Sequence, residues 1–230
     1  MSKRLAIVQS NYIPWRGYFD LINSVDEFIL FDDAQYTRRD WRNRNTIKTP
    51  NGLLWLTIPV QVRGKYLQKI KDTVVTDEDW THQHWNSIVH NYSHAPHFKE
   101  YLEQFQQLYL GTKETHLSQI NRRFITAICR ILGISTVISW SMDYDLVEGK
   151  TARLVKMCKD AGATEYLSGP AARDYLDEEL FRKEGIKLSY MDYSGYPEYH
   201  QLYPPFEPNV SIIDLIFNEG ANATRCMRSF

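Results

Sequence analysis

Short apolar runs that end abruptly in polar residues recur along the chain and predict buried strands. Leu5 to Val8 is followed at once by Gln9-Ser10-Asn11, and Glu27 to Phe31 is followed by Asp32-Asp33. Runs of this length, bounded by polar residues, are typical of strands buried in a sheet. Similar runs predict further strands at residues 53–60, 67–75, 134–138, 164–167 and 187–191.

Apolar residues at helical spacing predict helices between these strands. The clearest run has Leu117, Ile120, Phe124, Ile128 and others on one face up to Leu132, and Gly133 can close that helix. The same spacing predicts helices at 15–24, from a Thr76/Asp79 capping pair to about 91, and at 97–109, 150–161, 171–184 and 210–217. In this interpretation Ser168 is a natural cap for the helix at 171–184.

The order of these elements predicts the fold class. Strands separated by helices of ten or more residues favour a parallel sheet. We therefore expect an α/β, Rossmann-like fold, with a mostly parallel sheet, helices on both faces and an inserted helical block. Residues 1–76 and 133–230 would form the sheet domain, and residues 77–132 the helical insertion.

Composition and charge narrow the function classes. The chain has 230 residues, 43% hydrophobic and 24% charged, with a net charge of -1, which excludes a disordered tail protein or a disulfide scaffold. No global charge draws the protein to nucleic acid or to an anionic membrane, so any charge-driven function must come from a local cluster. No signal-peptide core and no run approaching ~20 apolar residues is visible, so we expect a cytoplasmic protein without a membrane span.

Cysteine and histidine spacing argues against a metal site. The three cysteines form no Cys-x-x-Cys pair. His90 and His94 have the i, i+4 spacing of a helical zinc pair, but Pro96 pushes Ala95 out of helical geometry and no Glu adjoins His90. We predict no metal site, and expect His84 or His90 to act as a base instead. Neither a P-loop nor a G-x-G-x-x-G motif occurs.

The first predicted strand ends in a polar loop that leads into a helix. Ligands of open α/β sheets bind beyond the carboxyl ends of strands. Pro14 and Gly17 bracket the entry to the helix, whose free N–H groups can bind a phosphate or a carboxylate. Gln9, Tyr12 and Tyr18 are the candidate contacts here. A tight turn with a structural Pro and Gly explains the same residues equally well.

The second strand end leads into a strongly basic stretch. Between residues 38 and 48, five cations stand against Asp40: Arg38, Arg39, Arg42, Arg44 and Lys48. Arginine matches phosphate geometry in a bidentate manner, so an anion pocket is one interpretation and a solvated surface is the other. Trp41 is placed to stack on a ring. Asp33 is a candidate base or sugar-hydroxyl contact, unless it caps a helix or neutralises Arg44.

The third strand end carries Ser168-Gly169 before a helix. Such a turn can accept an anion. It lacks the Gly-x-Ser-x-Gly elbow of the serine hydrolases, which argues against serine hydrolase chemistry.

Motifs along nearly the whole chain resemble one family. They are Gln9-x-Asn11-Tyr12-x-Pro14-Trp15-x-Gly17-Tyr18-Phe19-Asp20-Leu21-Ile22, Asp32-Asp33-x-Gln35-Tyr36, Trp41-Arg42-Asn43-Arg44-Asn45-x-Ile47-Lys48, Trp55-Leu56-Thr57-x-Pro59-Val60, Leu132-Gly133-Ile134-x-Thr136, Tyr166-Leu167-Ser168-Gly169, Pro197-x-Tyr199-x-Gln201 and Ser211-Ile212-Ile213-Asp214-Leu215. This pattern is similar to that of the WbqC-like protein family. The resemblance implies a role in bacterial O-antigen and related cell-surface polysaccharide synthesis.

Together, the resemblance and the basic strand end favour a transferase that adds an acyl or aminoacyl group to a nucleotide-linked amino sugar. Asp33 and His84 are the catalytic candidates. The expected substrate contacts are Gln9, Tyr12, Tyr18, Gln35, Arg42, Asn43, Arg44, Lys48, Ser168, Gly169, Tyr199 and Gln201. The expected partner is a nucleotide sugar or another phosphorylated small molecule, and the sequence does not identify a cofactor.

Two other classes stay open. The loop before Gly17-Tyr18 is similar to that of adenylyl-transferring Rossmann-like enzymes, although their signature has a His where Tyr18 stands. A non-catalytic binding or scaffold protein, using its Trp and Tyr surface, is the third class. RNA binding through residues 38–48 is less favoured, because the net charge is near neutral.

Overall fold

The computed structural model describes residues 2–230 and contains a five-stranded parallel sheet. Seven strands occur in chain order: β1 Arg4–Val8, β2 Glu27–Leu30, β3 Arg44–Thr49, β4 Gly52–Thr57, β5 Val137–Trp140, β6 Glu165–Ser168 and β7 Lys187–Tyr190. The main sheet has the order β5-β2-β1-β6-β7, and every neighbouring pair in it is parallel. This confirms the α/β, Rossmann-like fold class.

Seven helices connect or cover the strands: α1 Arg16–Asn23, α2 Trp80–Tyr92, α3 Phe98–Leu110, α4 Leu117–Leu132, α5 Lys150–Asp160, α6 Glu178–Lys183 and α7 Ile212–Glu219. The predicted apolar face of α4 is buried, and Gly133 ends the helix at a φ of 74°. Side chains other than glycine rarely adopt this left-handed conformation, so the predicted closure of α4 is confirmed.

The two faces of the sheet carry separate hydrophobic cores. Side chains alternate along each strand, so Ala6 and Phe28 join the larger core while Leu5 and Ile29 join the smaller one. The larger core packs against α1–α4 and α7, and the smaller core packs against α5 and α6. The sheet is therefore covered by helices on both faces.

The stretch between β2 and α2 differs from the prediction. Strand β4 lies largely within the predicted strand at 53–60, but it pairs in an antiparallel hairpin with β3, which forms within the basic stretch where no strand was predicted. Strand β3 gives no apolar signal because its buried residues include Asn45, Thr46 and Lys48, whose side chains form hydrogen bonds. The predicted strand at 67–75 is wrong: it contains a short 3-10 turn, Ile70–Asp72, and isolated bridges.

Two predicted caps are also wrong. Helix α2 begins after Asp79, which makes no side-chain capping bond, so the Thr76 pair does not start it. Ser168 is the last residue of β6, and Pro170 opens a 3-10 turn instead of a long helix. The helical part of 171–184 is α6, which Asp177 caps by accepting a hydrogen bond from the Leu180 N–H.

The helical block lies between strands β2 and β5 of the main sheet in chain order. Helix α4 leads into β5 and thereby completes the connection from β2, so it serves as a crossover helix within the α/β fold. The division into residues 1–76 with 133–230 and residues 77–132 stays a prediction. Among residues 2–230, no helix has the length and apolarity that a bilayer crossing requires.

Candidate functional site

The strand order places a cavity where the topology reverses. From β1 the chain builds the sheet outward through β2 and β5, and then returns to the other side of β1 with β6 and β7. Ligands of doubly wound sheets bind in the crevice at this point. A cavity of about 840 Å³ opens there, which we call the switch-point cavity. Its lining includes Gln9, Trp15, Tyr18, Gln35, Lys150, Arg153, Tyr166, Ser168, Gly169, Tyr175 and Tyr193.

Two cations give the switch-point cavity its charge. Lys150 and Arg153 lie in the first turn of α5, directly after Gly149. The N-terminus of a helix carries a partial positive charge and free N–H groups. Among the lining residues described within 2–230, none is an Asp, Glu or His. The cavity therefore favours an anionic ligand.

The loop from β1 to α1 supplies one wall of the cavity. The Tyr18 hydroxyl donates to the Gln9 carbonyl oxygen at 3.0 Å, and burial raises the pKa of Tyr18, so the hydroxyl stays neutral. Gln9 Oε1 accepts a hydrogen bond from Arg42 Nη2 at 3.0 Å. The Arg42 guanidinium also donates to Asn11 Oδ1. Arg42 is thus held beside the cavity without lining it.

Gly17 fits this loop for a steric reason. A Cβ at Gly17 would lie 2.4 Å from ring carbons of Trp15, which also lines the cavity. Only glycine lets the indole fold over the start of α1 at this distance.

The other wall of the cavity comes from β6. Ser168 is buried at the strand end, and its hydroxyl lies 3.5 Å from the Tyr166 hydroxyl. Gly169 follows, and a Cβ there would meet no atom within 4 Å. On the side of β2, Gln35 lines the cavity and donates from Nε2 to the Tyr66 carbonyl at 2.8 Å. The cavity therefore unites five predicted contacts: Gln9, Tyr18, Gln35, Ser168 and Gly169.

Asp33 lies next to the cavity residue Ala34 but faces two lysines. Its carboxylate is 2.8 Å from Lys71 Nζ and 3.1 Å from Lys69 Nζ, and it accepts a hydrogen bond from the Ser141 hydroxyl at 3.0 Å. Burial alone would raise the pKa of Asp33, but these hydrogen bonds outweigh burial and lower it. Asp33 is therefore ionised, with its charge balanced by the lysines.

His84 and Tyr12 are placed in an aromatic cluster of the core and do not line the cavity. The Tyr12 hydroxyl lies 2.9 Å from His84 Nδ1 and donates to the Tyr109 hydroxyl at 3.0 Å. Trp80 and Phe124 pack against Tyr12. Burial lowers the pKa of His84 to about 4, so its imidazole is neutral at pH 7.

Three other predicted contacts, Lys48, Tyr199 and Gln201, form hydrogen bonds in the core with Tyr92 and Asp214. We call these five residues the buried polar network. Asp214 accepts from both tyrosine hydroxyls at 2.7 Å and from Gln201 Nε2 at 2.9 Å. Lys48 Nζ donates to Gln201 Oε1 at 3.1 Å. Burial raises the pKa of Asp214, although its donors act in the opposite direction.

Asn43 and Arg44 lie at the β3–β4 hairpin and do not line the cavity. Asn43 Nδ2 donates to the Ile58 carbonyl at 2.8 Å. The Arg44 guanidinium stacks over the Trp55 ring at 4.1 Å and donates to the Arg39 carbonyl at 2.6 Å. The basic stretch is therefore divided between the hairpin, the rim of the cavity and the buried polar network.

Sequence reasoning missed the two cations of the cavity. Lys150 and Arg153 come after the predicted strand at 134–138, separated from it by a loop that ends in Gly149. The rule that ligands bind at strand ends, applied to β5 as well, would have indicated them. Tyr175 and Tyr193 also line the cavity, but their loops give no periodic signal that would place them there.

Comparisons with known proteins agree on a family. The family model described as "WbqC-like protein family" matches residues 9–226. A protein of Mycobacterium tuberculosis named "Uncharacterized protein Rv1507c" is 55% identical over 226 residues, which is 98% of each chain. No solved structure matches significantly. Since the family match and the similarity both span nearly the full length, the chain belongs to the WbqC-like protein family.

Proposed function

We propose that the protein is a transferase of bacterial cell-surface polysaccharide synthesis that binds a nucleotide-linked amino sugar in the switch-point cavity. It adds an acyl or aminoacyl group to the sugar amine. The observation that carries this proposal is the cavity at the topological reversal, with cations and tyrosines in its lining and no carboxylate. Its volume of about 840 Å³ lies within the range of small-molecule sites, ~300–1,000 Å³.

The cavity lining supports binding of both the diphosphate and the rings. Lys150, Arg153 and the N-terminus of α5 offer positive charge and N–H donors for the diphosphate. Trp15, Tyr175 and Tyr193 offer aromatic faces for the base or the sugar. The neutral Tyr18 hydroxyl and Gln9 add polar groups that can set orientation.

Acyl transfer to an amine also needs a proton acceptor near the nucleophile. Of the two catalytic candidates, Asp33 is favoured because it is ionised and adjoins the cavity residue Ala34. His84 is neutral, as a base must be, but the aromatic cluster encloses it. In the proposed reaction the amine nitrogen bonds to the acyl carbon, the donor's leaving group departs, and the amine proton passes to the acceptor.

The proposal is tested by measuring ligand binding to the wild-type protein, to a double variant without the two cavity cations, and to a control variant on the same helix. Isothermal titration with UDP-, dTDP- and GDP-linked amino sugars should find one that binds the wild-type protein. The double variant Lys150→Ala/Arg153→Ala should weaken that binding about tenfold or more, since hydrogen bonds to charged groups contribute about 1.5–3 kcal/mol. Lys156→Ala, on the same helix but paired with Asp160, is the control and should bind normally.

Two results would contradict the transferase. If none of these sugars binds, the non-catalytic binding class gains support. If the double variant binds as tightly as the control, the ligand lies outside the switch-point cavity.

A second candidate, adenylyl transfer, is favoured by one specific feature. The loop from β1 brings Trp15 and Tyr18, on either side of Gly17, into the cavity at the start of α1. The phosphates of a nucleoside triphosphate in the cavity could bind the free N–H groups at the N-terminus of α1. Release of pyrophosphate from ATP by the purified protein, lost in Lys150→Ala/Arg153→Ala, would establish this activity in place of sugar binding.

A further inference from the structure

An exposed apolar surface surrounds the β3–β4 hairpin. Half of the large hydrophobic side chains that are exposed among residues 2–230 lie here: Trp41, Leu53, Leu54, Trp55, Tyr66 and Leu67. Tyr66 and Leu67 are 80% and 77% exposed, at the tip of a loop without regular structure. Exposed apolar patches of this kind mark interaction sites.

Contacts between side chains join the hairpin to the loop before it. The rings of Trp41 and Trp55 lie 5.4 Å apart, and Arg44 stacks over Trp55. Arg44 also donates to the Arg39 carbonyl. The loop at 35–44 and the outer strand β4 therefore share one surface.

Two further hydrogen bonds attach the loop at 61–69 to the same surface. Arg38 Nη2 donates to the Val62 carbonyl at 2.7 Å, and Gln35 Nε2 donates to the Tyr66 carbonyl. We call the exposed residues of 35–69 the basic aromatic surface. Since Gln35 also lines the switch-point cavity, this surface adjoins the cavity.

The charge of this surface is the reverse of the chain average. The whole chain has a net charge of -1, but among residues 35–69 the exposed charged side chains are all cations: Arg38, Arg39, Arg63, Lys65 and Lys69. Arg38, Arg39, Arg63 and Lys65 are exposed, and none of them forms an ion pair with the residues that the structure describes. The cations thus remain available to an anionic partner.

We propose that the basic aromatic surface docks the protein on an anionic lipid bilayer. Exposed cations are attracted to the negative headgroups of such a surface, and Trp and Tyr favour the level of the headgroups. Leu53, on the same face of β4 as Trp55, and Leu67 gain by entering the acyl boundary. Docking in this manner holds the switch-point cavity next to the headgroups, and it does not depend on which reaction the cavity performs.

Two other partners fit the surface less well. A second copy of the chain would bring the same positive charges together, which repel. Single-stranded RNA would use the cations and the aromatic rings but has no role for the exposed leucines, since its bases stack on aromatic groups. The combination of exposed leucines with unpaired cations is what selects a bilayer.

Sedimentation with vesicles tests the proposal on the full chain. The protein should bind vesicles of phosphatidylcholine with phosphatidylglycerol, bind pure phosphatidylcholine far less, and dissociate as salt is raised. Arg63→Glu/Lys65→Glu should weaken binding to the anionic vesicles about tenfold or more. Lys99→Glu/Lys113→Glu makes the same charge change at exposed sites elsewhere and should change binding little.

A second variant separates lipid insertion from charge alone. Tyr66→Ser/Leu67→Ser removes the apolar tip and should also weaken binding to the anionic vesicles, with an unchanged thermal melt because both side chains are exposed. Any of three results overturns the proposal: absence of binding to anionic vesicles, equal weakening by the control variant, or an oligoribonucleotide that binds tightly without needing Tyr66 and Leu67. A dimer that the serine variant dissociates, without vesicle binding, would likewise overturn it.

Discussion

The switch-point cavity and the buried polar network share several residue types but differ in which polar groups remain free. Each combines a lysine with tyrosines and a glutamine. In the network, Asp214 accepts three hydrogen bonds from side chains and Lys48 donates to Gln201. In the cavity, Lys150 is exposed and pairs with no acid among the residues described. The lysine, tyrosines and glutamine that both contain do not separate a ligand site from a structural one. What separates them is the carboxylate of Asp214, which takes up the hydrogen-bonding capacity of the network and has no counterpart in the cavity lining.

The largest expected effect comes from opening the network. Asp214→Ala removes the acceptor of the Tyr92 and Tyr199 hydroxyls and of the Gln201 amide. Because a buried donor left without an acceptor costs about 1–3 kcal/mol, the variant should lower the free energy of unfolding by about 3–5 kcal/mol. Urea unfolding measures this loss. Asp145→Ala removes an exposed carboxylate and is the control. A loss below about 1 kcal/mol would show that the network does not hold the fold together.

A smaller loss of stability is expected when the pH is lowered, because His84 lies in the aromatic cluster. The pKa of His84 is lowered from 6.5 to about 4 in the folded protein, so the unfolded chain binds more protons between these values. Stability therefore rises with pH in this window and falls on acidification. Between pH 7 and pH 5 the share due to His84 should be about 2 kcal/mol.

The contribution of His84 to the pH dependence of stability is measured by comparing a His84 variant with the wild-type protein. Urea unfolding at both pH values should show a weaker pH dependence for His84→Gln than for the wild-type protein. His82→Gln changes an exposed histidine on the same helix and should keep the wild-type dependence. Equal slopes for His84→Gln and the wild type would place a protonated or solvated imidazole at residue 84.

The smallest effect on stability should come from the cavity itself. Lys150→Met should change the free energy of unfolding by no more than about 0.5 kcal/mol, as is usual for exposed positions. It should nevertheless weaken binding of the nucleotide sugar about tenfold. Lys48→Met should show the opposite pattern, with a large loss of stability. If both lysine variants unfold alike, the distinction between cavity and network fails.

Sequence reasoning located the strand ends better than the side chains around them. Gln9, Tyr18 and Ser168 were found because they follow or end buried parallel strands, and strand ends meet at one edge. Tyr12, His84 and Tyr199 have suitable chemistry as well, but their partners lie far away in the chain. No local pattern shows that those partners occupy their polar atoms.

The β3–β4 hairpin shows that predicting the fold from the sequence has the same limit. Strand β3 has a polar sequence although both of its faces are buried: backbone carbonyls and Gln201 accept hydrogen bonds from Asn45, Thr46 and Lys48. A prediction from hydrophobic alternation assumes that polar residues face water, and this strand breaks that assumption.

The sequence by itself determined the fold class and most helices and strands, because short buried strands and amphipathic helices leave local periodic signals. The family followed from the resemblance of its motifs to those of the WbqC-like protein family. The tertiary structure decided which polar residues share a cavity, which saturate one another in the core, and which remain exposed beside the hairpin. These outcomes depend on contacts between residues distant along the chain, such as Lys48 with Gln201 and Gln9 with Arg42. Burial and hydrogen-bond saturation arise from such contacts, and only the assembled fold fixes them.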